Sequence, residues 1–551
     1  MITVPPYFPR RARTAGDARP CPPYAGAVSA PVETLPSATE PSRLDVWRDA
    51  VRADPRRVRL WRWLAPAIVT LVAFALRVFR IGDPHQLVFD ETYYVKDSWS
   101  QWVLGYPSTW PDGADESFAA GDTDVFTGIG SYVVHPPLGR ILIGAGMWLF
   151  GPDTSTGWRI SAAVFGTLTV LLVYLVARSM GGSIVLASVA SGLLAIDGLG
   201  IVLSRIALLD VFLTFFIVLT FWFVILDRRR TQDQIAALVA AREDGPPTWG
   251  PVLWDRPWLV AAGLAAGAAT GVKWSGLYVL AAVGLYVVVT DALARRRAGV
   301  VQWPVDAALR QGPVSFLLLV PAALVVYLAS WSGWLLTTGG FGRANEVPAE
   351  GFWAWVPLPL QNLWAYHEQM YAFHVGLTSG HSYASPAWQW PLLIRPTSMW
   401  WHQDAAGQNG CLLPNGCTEA VSSIPNPLIW WAGIAAAVYL LVRVVLVREW
   451  RFALVLVGLA ATYVPWLLYP ERTIFQFYTV AMVPFLVLGL AFALRDVGRG
   501  MRGMPRRSGQ LIVVVFLVAC VVISAFWYPV WTALPVPYEF WRLHNWLPSW
   551  I

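Results

Sequence analysis

Residues 158–178 read WRISAAVFGTLTVLLVYLVAR, an apolar run with arginines only near its two ends. A helix needs about 20 apolar residues to cross the hydrocarbon core of a bilayer. Similar runs recur along the 551 residues, of which 56% are hydrophobic and 13% charged, and the mean hydropathy is +0.50. Soluble globular proteins have about 25% charged residues. The runs are continuous, whereas the strands of a membrane β-barrel alternate. The sequence therefore predicts an all-α polytopic membrane protein.

The basic residues predict how the chain is oriented in the membrane. The chain has 40 basic and 34 acidic residues, a formal net charge of +6. Arginines crowd the start of the first apolar run and recur in the segments 227–256, 295–310 and 495–507. Cytoplasmic loops are enriched in Lys and Arg, so these segments and the N-terminus are predicted to be cytoplasmic. Residues 1–60, rich in Pro, Ala and Arg, are predicted to form a disordered tail.

Residues 82–227 contain four apolar runs, but the predicted sides of the two flanking segments require an odd number of membrane spans between them. The chain leaves the cytoplasm through the first helix and must return by residue 227, which allows three further spans. The run 138–150 has only about 13 residues and is predicted to be an interfacial or re-entrant helix. The predicted spans are residues 64–81, 158–178, 184–203, 206–226, 258–272, 277–293, 314–336, 428–447, 452–468, 477–494 and 511–527. This topology has about eleven spans and an external C-terminus.

The same topology divides the chain into modules. Residues 61–337 are predicted to form an N-terminal transmembrane module with an external loop at 82–157. Residues 338–426 form a second external loop, and residues 427–551 form a C-terminal module of four helices. The few cations of the predicted external segments therefore lie on the opposite side of the membrane from the arginines of the predicted cytoplasmic segments.

Ionisable residues near the predicted helix ends collect on the outer face. They include Asp90, Glu91, His135, Arg140, Arg159, Arg205, Asp210, Lys273 and Arg472, accompanied by Trp274 and Tyr478. Such residues are costly at membrane depth and are functional candidates by default. A carboxylate can accept the proton of an attacking alcohol, and Arg or Lys can stabilise a leaving phosphate. The set favours an enzyme with a lipid-linked phosphate donor, although a solvated loop pair and snorkelling side chains remain alternatives.

Four motifs resemble one known family. They are Phe89-Asp-Glu, His135-Pro-Pro-Leu-Gly-Arg, Gly157-Trp-Arg and Ser382-Tyr-Ala-Ser-Pro-Ala-Trp-Gln-Trp-Pro-Leu-Leu. In this order they are similar to those of the bacterial, actinobacterial-type protein O-mannosyltransferases, which are GT-C glycosyltransferases. The resemblance covers nearly the whole chain after about residue 60. It implies the GT-C fold, with external juxtamembrane helices and with residues 61–337 as the catalytic module. The second external loop is far too short for the β-trefoil module of eukaryotic members.

The resemblance also implies a reaction. The family transfers mannose from polyprenyl-phosphate-mannose to Ser or Thr hydroxyls of secreted proteins, with inversion, at the extracytoplasmic face of the plasma membrane. It implies Asp90 as the general base that a single displacement needs, with Glu91 positioning the acceptor or sharing that role. Arg159, Lys273 and Arg472 are expected to bind the donor phosphate. No cofactor or divalent metal is expected to be required, no nucleic acid is expected as a partner, and association with the Sec translocon is plausible.

The other candidates are expected to line the substrate path or to support its walls. They are His135, Arg140, Arg205, Asp210, Trp274, His381, Tyr383, Arg395 and Tyr478. An ion pair between Arg205 and Asp210 is one hypothesis for the wall. His367, Glu368 and His374 have no spacing that suits zinc and are interpreted as loop or interfacial residues. Cys411 and Cys417, six apart in an external loop where oxidation is permitted, predict a local disulfide.

Two other functions stay open at this point. Another polyprenyl-phosphate-sugar-dependent GT-C transferase, acting on cell-wall glycan or lipid, would differ only in its acceptor. A membrane transporter would show inverted repeats and polar groups near the midplane. The sequence has no convincing repeat and its polar groups lie at one face, so the transferase prediction is favoured.

Overall fold

The computed structural model describes residues 53–242, 245–345, 347–348, 350–500 and 504–551, together with residues 46, 49 and 50. A compact unit begins at Pro55, where the first of the helices named below also begins. The predicted tail, residues 1–60, falls mainly outside the described residues. Its predicted end is six residues too late, since residues 55–60 are already helical.

Helices dominate the described ranges. They are α1 (Pro55–Val78), α2 (Glu91–Leu104), α3 (Ala114–Ala119), α4 (Leu138–Phe150), α5 (Ser155–Gly181), α6 (Ile184–Ala195), α7 (Gly198–Val202), α8 (Asp210–Ala240), α9 (Pro257–Val272), α10 (Ser275–Arg297), α11 (Trp303–Ser330), α12 (Ser332–Leu336), α13 (Leu358–Gly376), α14 (Pro427–Val447), α15 (Trp450–Tyr463), α16 (Val483–Gly498), α17 (Arg506–Trp531) and α18 (Tyr538–Arg542). Short 3-10 helices lie at Gly351–Trp353, Ala387–Leu392, Val464–Leu468, Gln476–Ala481 and Pro548–Trp550. The buried faces of α5, α8, α9 and α16 contribute much of the core.

Seven helices within the described residues are long and apolar enough to cross a membrane: α1, α5, α8, α10, α11, α14 and α17. The predicted spans at 184–203, 258–272, 452–468 and 477–494 contain shorter helices. Of these, α9 and α16 have 16 residues each, which is about 24 Å of helix at 1.5 Å per residue. The chain is a mostly helical, multi-pass membrane protein, and the count of eleven spans stays a prediction.

Helix α4 has 13 residues, as its apolar run predicts. It follows Pro136 and Pro137 and packs against α2 and α5. A Cβ added at Gly146 would lie 2.8 Å from the carbonyl oxygen of Gly157, so a glycine is what allows α4 to approach α5 so closely. This packing places the His135 end of α4 beside α2.

The segment 338–426, predicted to be an external loop, contains more structure than the sequence indicates. Besides α13 it has an antiparallel hairpin, β1 (Ser398–Asp404) and β2 (Cys417–Ser422). The hairpin is a small addition to a mostly helical fold that the hydropathy pattern does not predict, and its tryptophan-rich first strand resembles an interfacial belt in sequence. The predicted disulfide is confirmed: Cys411 and Cys417 are bonded, with an S–S distance of 2.08 Å.

Helix α8 has 31 residues and continues past the predicted end at residue 226. Its Asp227 belongs to a buried charge cluster in which Arg256 pairs with both Asp227 and Asp291 of α10. The guanidinium Nη2 lies 2.5 Å from Asp227 Oδ2, and Nη1 lies 2.6 Å from Asp291 Oδ2. The cluster joins α8, the start of α9 and α10 at the end of the bundle predicted to be cytoplasmic.

Replacement of Arg256 by Ala is expected to destabilise the protein strongly, by about 3–5 kcal/mol, because it leaves two buried carboxylates without their cation. The measurement is the thermal unfolding midpoint of the purified chain in detergent. Arg230→Ala is the control, since Arg230 pairs with Asp255 at side-chain exposures of 40% and 72%. An exposed pair contributes about 0–1 kcal/mol. Equal shifts for the two variants would contradict a structural role for the cluster.

Candidate functional site

The acidic pair at the start of α2 is split between two environments, and Glu91 occupies the buried one. Its side chain is fully buried and both carboxylate oxygens accept hydrogen bonds. Arg159 of α5 donates from Nε at 2.9 Å and from Nη2 at 2.8 Å. The backbone N–H groups of Val88 and Ala207 donate to the same carboxylate at 3.0 and 2.7 Å. Glu91 therefore ties α2, α5 and the segment before α8 together.

Arg159 has no donor left for a ligand. Its three remaining N–H groups bind the carbonyl oxygens of Ile81, Pro84 and Gln86, at 2.9–3.2 Å. A guanidinium has five N–H donors, and all five are used inside the protein. This geometry gives no support to the predicted phosphate role of Arg159 or to a shared base role for Glu91. The pair instead fixes the loop between α1 and α2.

Asp90 is only partly buried, and its carboxylate lacks the partners that surround Glu91. Its carboxylate forms no side-chain cap with α2, and it makes no hydrogen bond or ion pair with any other described residue. Its pKa is raised from 3.8 to about 6, mainly by burial; the charge of Lys273 opposes this rise and the charge of Asp210 adds to it. A carboxylate with a pKa near 6 is ionised at neutral pH and is still basic enough to accept a proton.

Lys273, at the junction of α9 and α10, lies beside this carboxylate. Its Nζ is 2.8 Å from Asp210 Oδ2, at the start of α8. It also lies over the ring of Tyr478, 4.9 Å from the centroid. The hypothesis of an Arg205–Asp210 ion pair is wrong, since Asp210 pairs with Lys273. Arg205 instead donates to carbonyl oxygens of residues 77, 79 and 80 at the C-terminal end of α1.

A cavity of about 540 Å³ opens next to Lys273. Its walls are mostly aliphatic and aromatic side chains from α9, α10, α11 and α13 and from the segment after α15. Five predicted site residues line it: His135, Lys273, Trp274, Arg472 and Tyr478. An apolar wall with two cations is suited to a ligand that has a hydrocarbon chain and an anionic head.

Helix α13 contributes two residues that were interpreted as loop or interfacial, His367 and His374, together with Tyr371. His367, Tyr371 and His374 all line the cavity. Their spacing of four and three residues places them on one helix face, and this is the signal from which they could have been found. His367 accepts a hydrogen bond from Tyr327 at 2.5 Å and its ring stacks on Trp274. Glu368 lies on another face and accepts from Trp364 at 2.8 Å.

The remaining predicted residues lie outside this cavity. Arg140 donates to Gln101 at 2.9 Å and lines a second cavity of about 150 Å³. Arg395 donates to the carbonyl oxygens of Ser549 and Ile551 and lies over the ring of Tyr383. These two arginines therefore have structural partners. His381 is exposed and packs edge-on against Phe89, the neighbour of Asp90, at 6.1 Å.

Comparisons with known proteins identify the family of the chain. A family model for the C-terminal four-TMM region of protein O-mannosyltransferase matches residues 359–550, and one for dolichyl-phosphate-mannose–protein mannosyltransferase matches residues 127–337. A polyprenol-phosphate-mannose–protein mannosyltransferase of Mycolicibacterium smegmatis is 35% identical over 502 residues, which cover 89% of this chain and 93% of the relative. The chain belongs to the protein O-mannosyltransferase family. A Mycobacterium tuberculosis relative with the same name is 34% identical, over 89% of this chain and 92% of its own.

The fold of this protein O-mannosyltransferase also matches a solved structure. The S. cerevisiae protein O-mannosyltransferase Pmt1–Pmt2 complex bound to the sugar donor aligns with a TM-score of 0.65. The alignment covers 89% of this chain and 92% of that chain at 16% identity. The likeness confirms the predicted GT-C fold.

The acidic pair predicts two different mutant phenotypes. Glu91→Gln is expected to destabilise the protein by about 3–5 kcal/mol, because it leaves the buried Arg159 without its counter-charge. Asp90→Asn is expected not to destabilise the protein, since its carboxylate has no partner to lose and burial already disfavours its charged form. Thermal unfolding midpoints in detergent separate the two. A larger shift for Asp90→Asn than for Glu91→Gln would reverse the assignment.

Proposed function

We propose that the chain transfers mannose from polyprenyl-phosphate-mannose to Ser or Thr hydroxyls of secreted proteins. The observation that carries this proposal is Asp90, an unpaired carboxylate of raised pKa that interacts electrostatically with Lys273. Lys273 lines a cavity that has two cations and an apolar wall. Relatives that bear this activity in their names match almost the whole chain. The cavity has room for the head of a lipid-linked donor and for the first part of its hydrocarbon chain.

The two cations of the cavity would hold the donor phosphate. Lys273 would contact the phosphate through Nζ. The same Nζ lies 2.8 Å from Asp210 Oδ2, which offsets part of its positive charge. Arg472, on the other wall, has no carboxylate partner among the described residues. A phosphate leaving group gains negative charge as its bond to carbon breaks, and fixed cations stabilise that charge. We therefore assign the phosphate to Arg472 and Lys273.

Asp90 would act as the general base. As the acceptor oxygen forms its bond to the anomeric carbon, the bond from that carbon to the phosphate oxygen breaks. The hydroxyl proton passes to Asp90, and the electron pair of the broken bond stays on the polyprenyl phosphate. A single displacement of this kind inverts the anomeric centre. No cofactor is needed in this scheme, because the phosphate ester is already an activated donor.

The site is proposed to face the extracytoplasmic side of the plasma membrane, opposite the Arg-rich segments. Acceptors would then be polypeptides that have just crossed the membrane, and an association with the Sec translocon follows as part of the proposal. A transferase acting on cell-wall glycan or lipid would use the same donor site. Assays that offer a Ser/Thr-rich peptide and a glycan acceptor side by side distinguish the two.

Asp90→Asn is expected to lower mannose transfer by about 10²–10⁴-fold, the usual contribution of a general base. The measurement is transfer from radiolabelled polyprenyl-phosphate-mannose to a Ser/Thr-rich peptide by the purified full chain. Asp112→Asn is the matched control, an exposed acid of the same external loop. Activity of Asp90→Asn equal to that of the control would remove Asp90 from the mechanism.

The pH dependence of transfer follows from the pKa of Asp90, which is about 6. A base acts in its deprotonated form, so kcat/KM is expected to be level above pH 6. Below pH 6 it is expected to fall about tenfold per pH unit as the carboxylate is protonated. The Asp90→Asn variant should show a residual rate without this limb. A flat profile from pH 4.5 to 7.5 in the wild type would contradict the assignment.

A further inference from the structure

The two cations of the cavity are held by partners of different charge. Lys273 is paired with a carboxylate, that of Asp210. Within the described ranges Arg472 contacts no carboxylate, and its guanidinium is held by His374 and by the face of Trp466, 5.5 Å from the ring centroid. Arg472 is therefore the cation of this cavity whose charge is not already neutralised.

His374 receives two hydrogen bonds from Arg472. Nε of the guanidinium donates to the His374 carbonyl oxygen at 2.9 Å, and Nη2 donates to the imidazole Nδ1 at 3.1 Å. On the other side of the ring, Nε2 lies 2.7 Å from the carbonyl oxygen of Val134. The ring also stacks on His135 with centroids 5.1 Å apart. The imidazole is thus held by Val134 and His135 in addition to its contact with Arg472.

These contacts allow only one protonation state. A guanidinium only donates, so Nδ1 must carry a lone pair, and a carbonyl only accepts, so Nε2 must carry the hydrogen. The imidazole is therefore neutral. Burial lowers the pKa of His374 to about 4, and the charge of Arg472 contributes in the same direction. A neutral acceptor orients the guanidinium without cancelling its charge, whereas a carboxylate at this point would compete with a phosphate.

We propose that His374 is a positioning residue that holds Arg472 as the principal ligand of the donor phosphate. The inference rests on the proposed function, because it takes the anion in this cavity to be a polyprenyl phosphate. Val134 and His135 belong to the segment before α4, so His374 connects that segment to the loop after α15, which carries Arg472. The orientation of Arg472 thereby depends on the mutual position of two distant parts of the chain.

Two conservative substitutions separate positioning from a merely structural role. His374→Asn retains an acceptor near the position of Nδ1, and His374→Gln retains an N–H group near the position of Nε2. If His374 acts through its hydrogen bond to Arg472, the Kd of His374→Asn is expected to stay within about twofold of the wild-type value. Gln is expected to weaken it by about tenfold, the effect of one hydrogen bond to a charged group.

The measurement is the Kd of undecaprenyl phosphate for the purified full chain in detergent, from the quenching of intrinsic tryptophan fluorescence. Arg472→Ala is expected to weaken binding at least as much as His374→Gln. The double variant His374→Gln/Arg472→Ala is expected to bind no more weakly than Arg472→Ala alone, because His374 acts only through Arg472. Arg542→Ala, an exposed arginine paired with Glu539, is the control for loss of charge.

Each other outcome overturns a specific statement. Equal losses in His374→Asn and His374→Gln, or additive losses in the double variant, would overturn the positioning role and leave the donor site intact. Wild-type chain that does not bind undecaprenyl phosphate, or Arg472→Ala that binds it normally, would overturn the phosphate assignment on which the proposal rests. The thermal midpoints of all variants identify any that fail to fold. Among folded variants, the Kd of His374→Asn compared with that of His374→Gln decides whether His374 positions Arg472.

Discussion

The ion pair between Glu91 and Arg159 is the constraint on which the site depends. Two charges removed from water are favourable only if their remaining hydrogen-bonding groups are satisfied. Here every donor of Arg159 and both oxygens of Glu91 have partners. These partners come from the loop after α1, the start of α2, α5 and the segment before α8. The pair fixes the loop from residue 79 to 90, and with it the position of Asp90.

Adjacent carboxylates can therefore have different functions. The carboxylate of Glu91 accepts hydrogen bonds at both oxygens and contributes to structure. The carboxylate of Asp90 has no hydrogen-bond partner among the described residues, and its pKa is raised. The cations divide in a comparable way. Lys273 shares its charge with Asp210, and Arg472 keeps its charge because its contacts are a neutral imidazole, a carbonyl oxygen and an aromatic face. In both cases the environment, and not the residue type, decides what the group can do.

Much of the fold could be predicted because apolar runs of known length have few alternatives in a membrane. The short helix α4 and the disulfide between Cys411 and Cys417 were predicted from length and spacing alone. The extension of α8 was missed because it depends on partners distant in sequence. The β-hairpin was missed because its tryptophan-rich first strand resembles an interfacial belt in sequence. Asp227 lies in an apparently polar loop, and its helix is stabilised by Arg256 and Asp291.

By itself the sequence determined a multi-pass helical protein of the protein O-mannosyltransferase family with an acidic pair after its first helix. Hydropathy and motif order are local properties, so they are readable without a structure. Only the tertiary structure decided that Arg159 belongs to Glu91, that Lys273 belongs to Asp210 and that His374 faces Arg472. These pairings join residues 63 to 98 positions apart. Which cation meets which acceptor is set by helix packing, a property that no local pattern encodes.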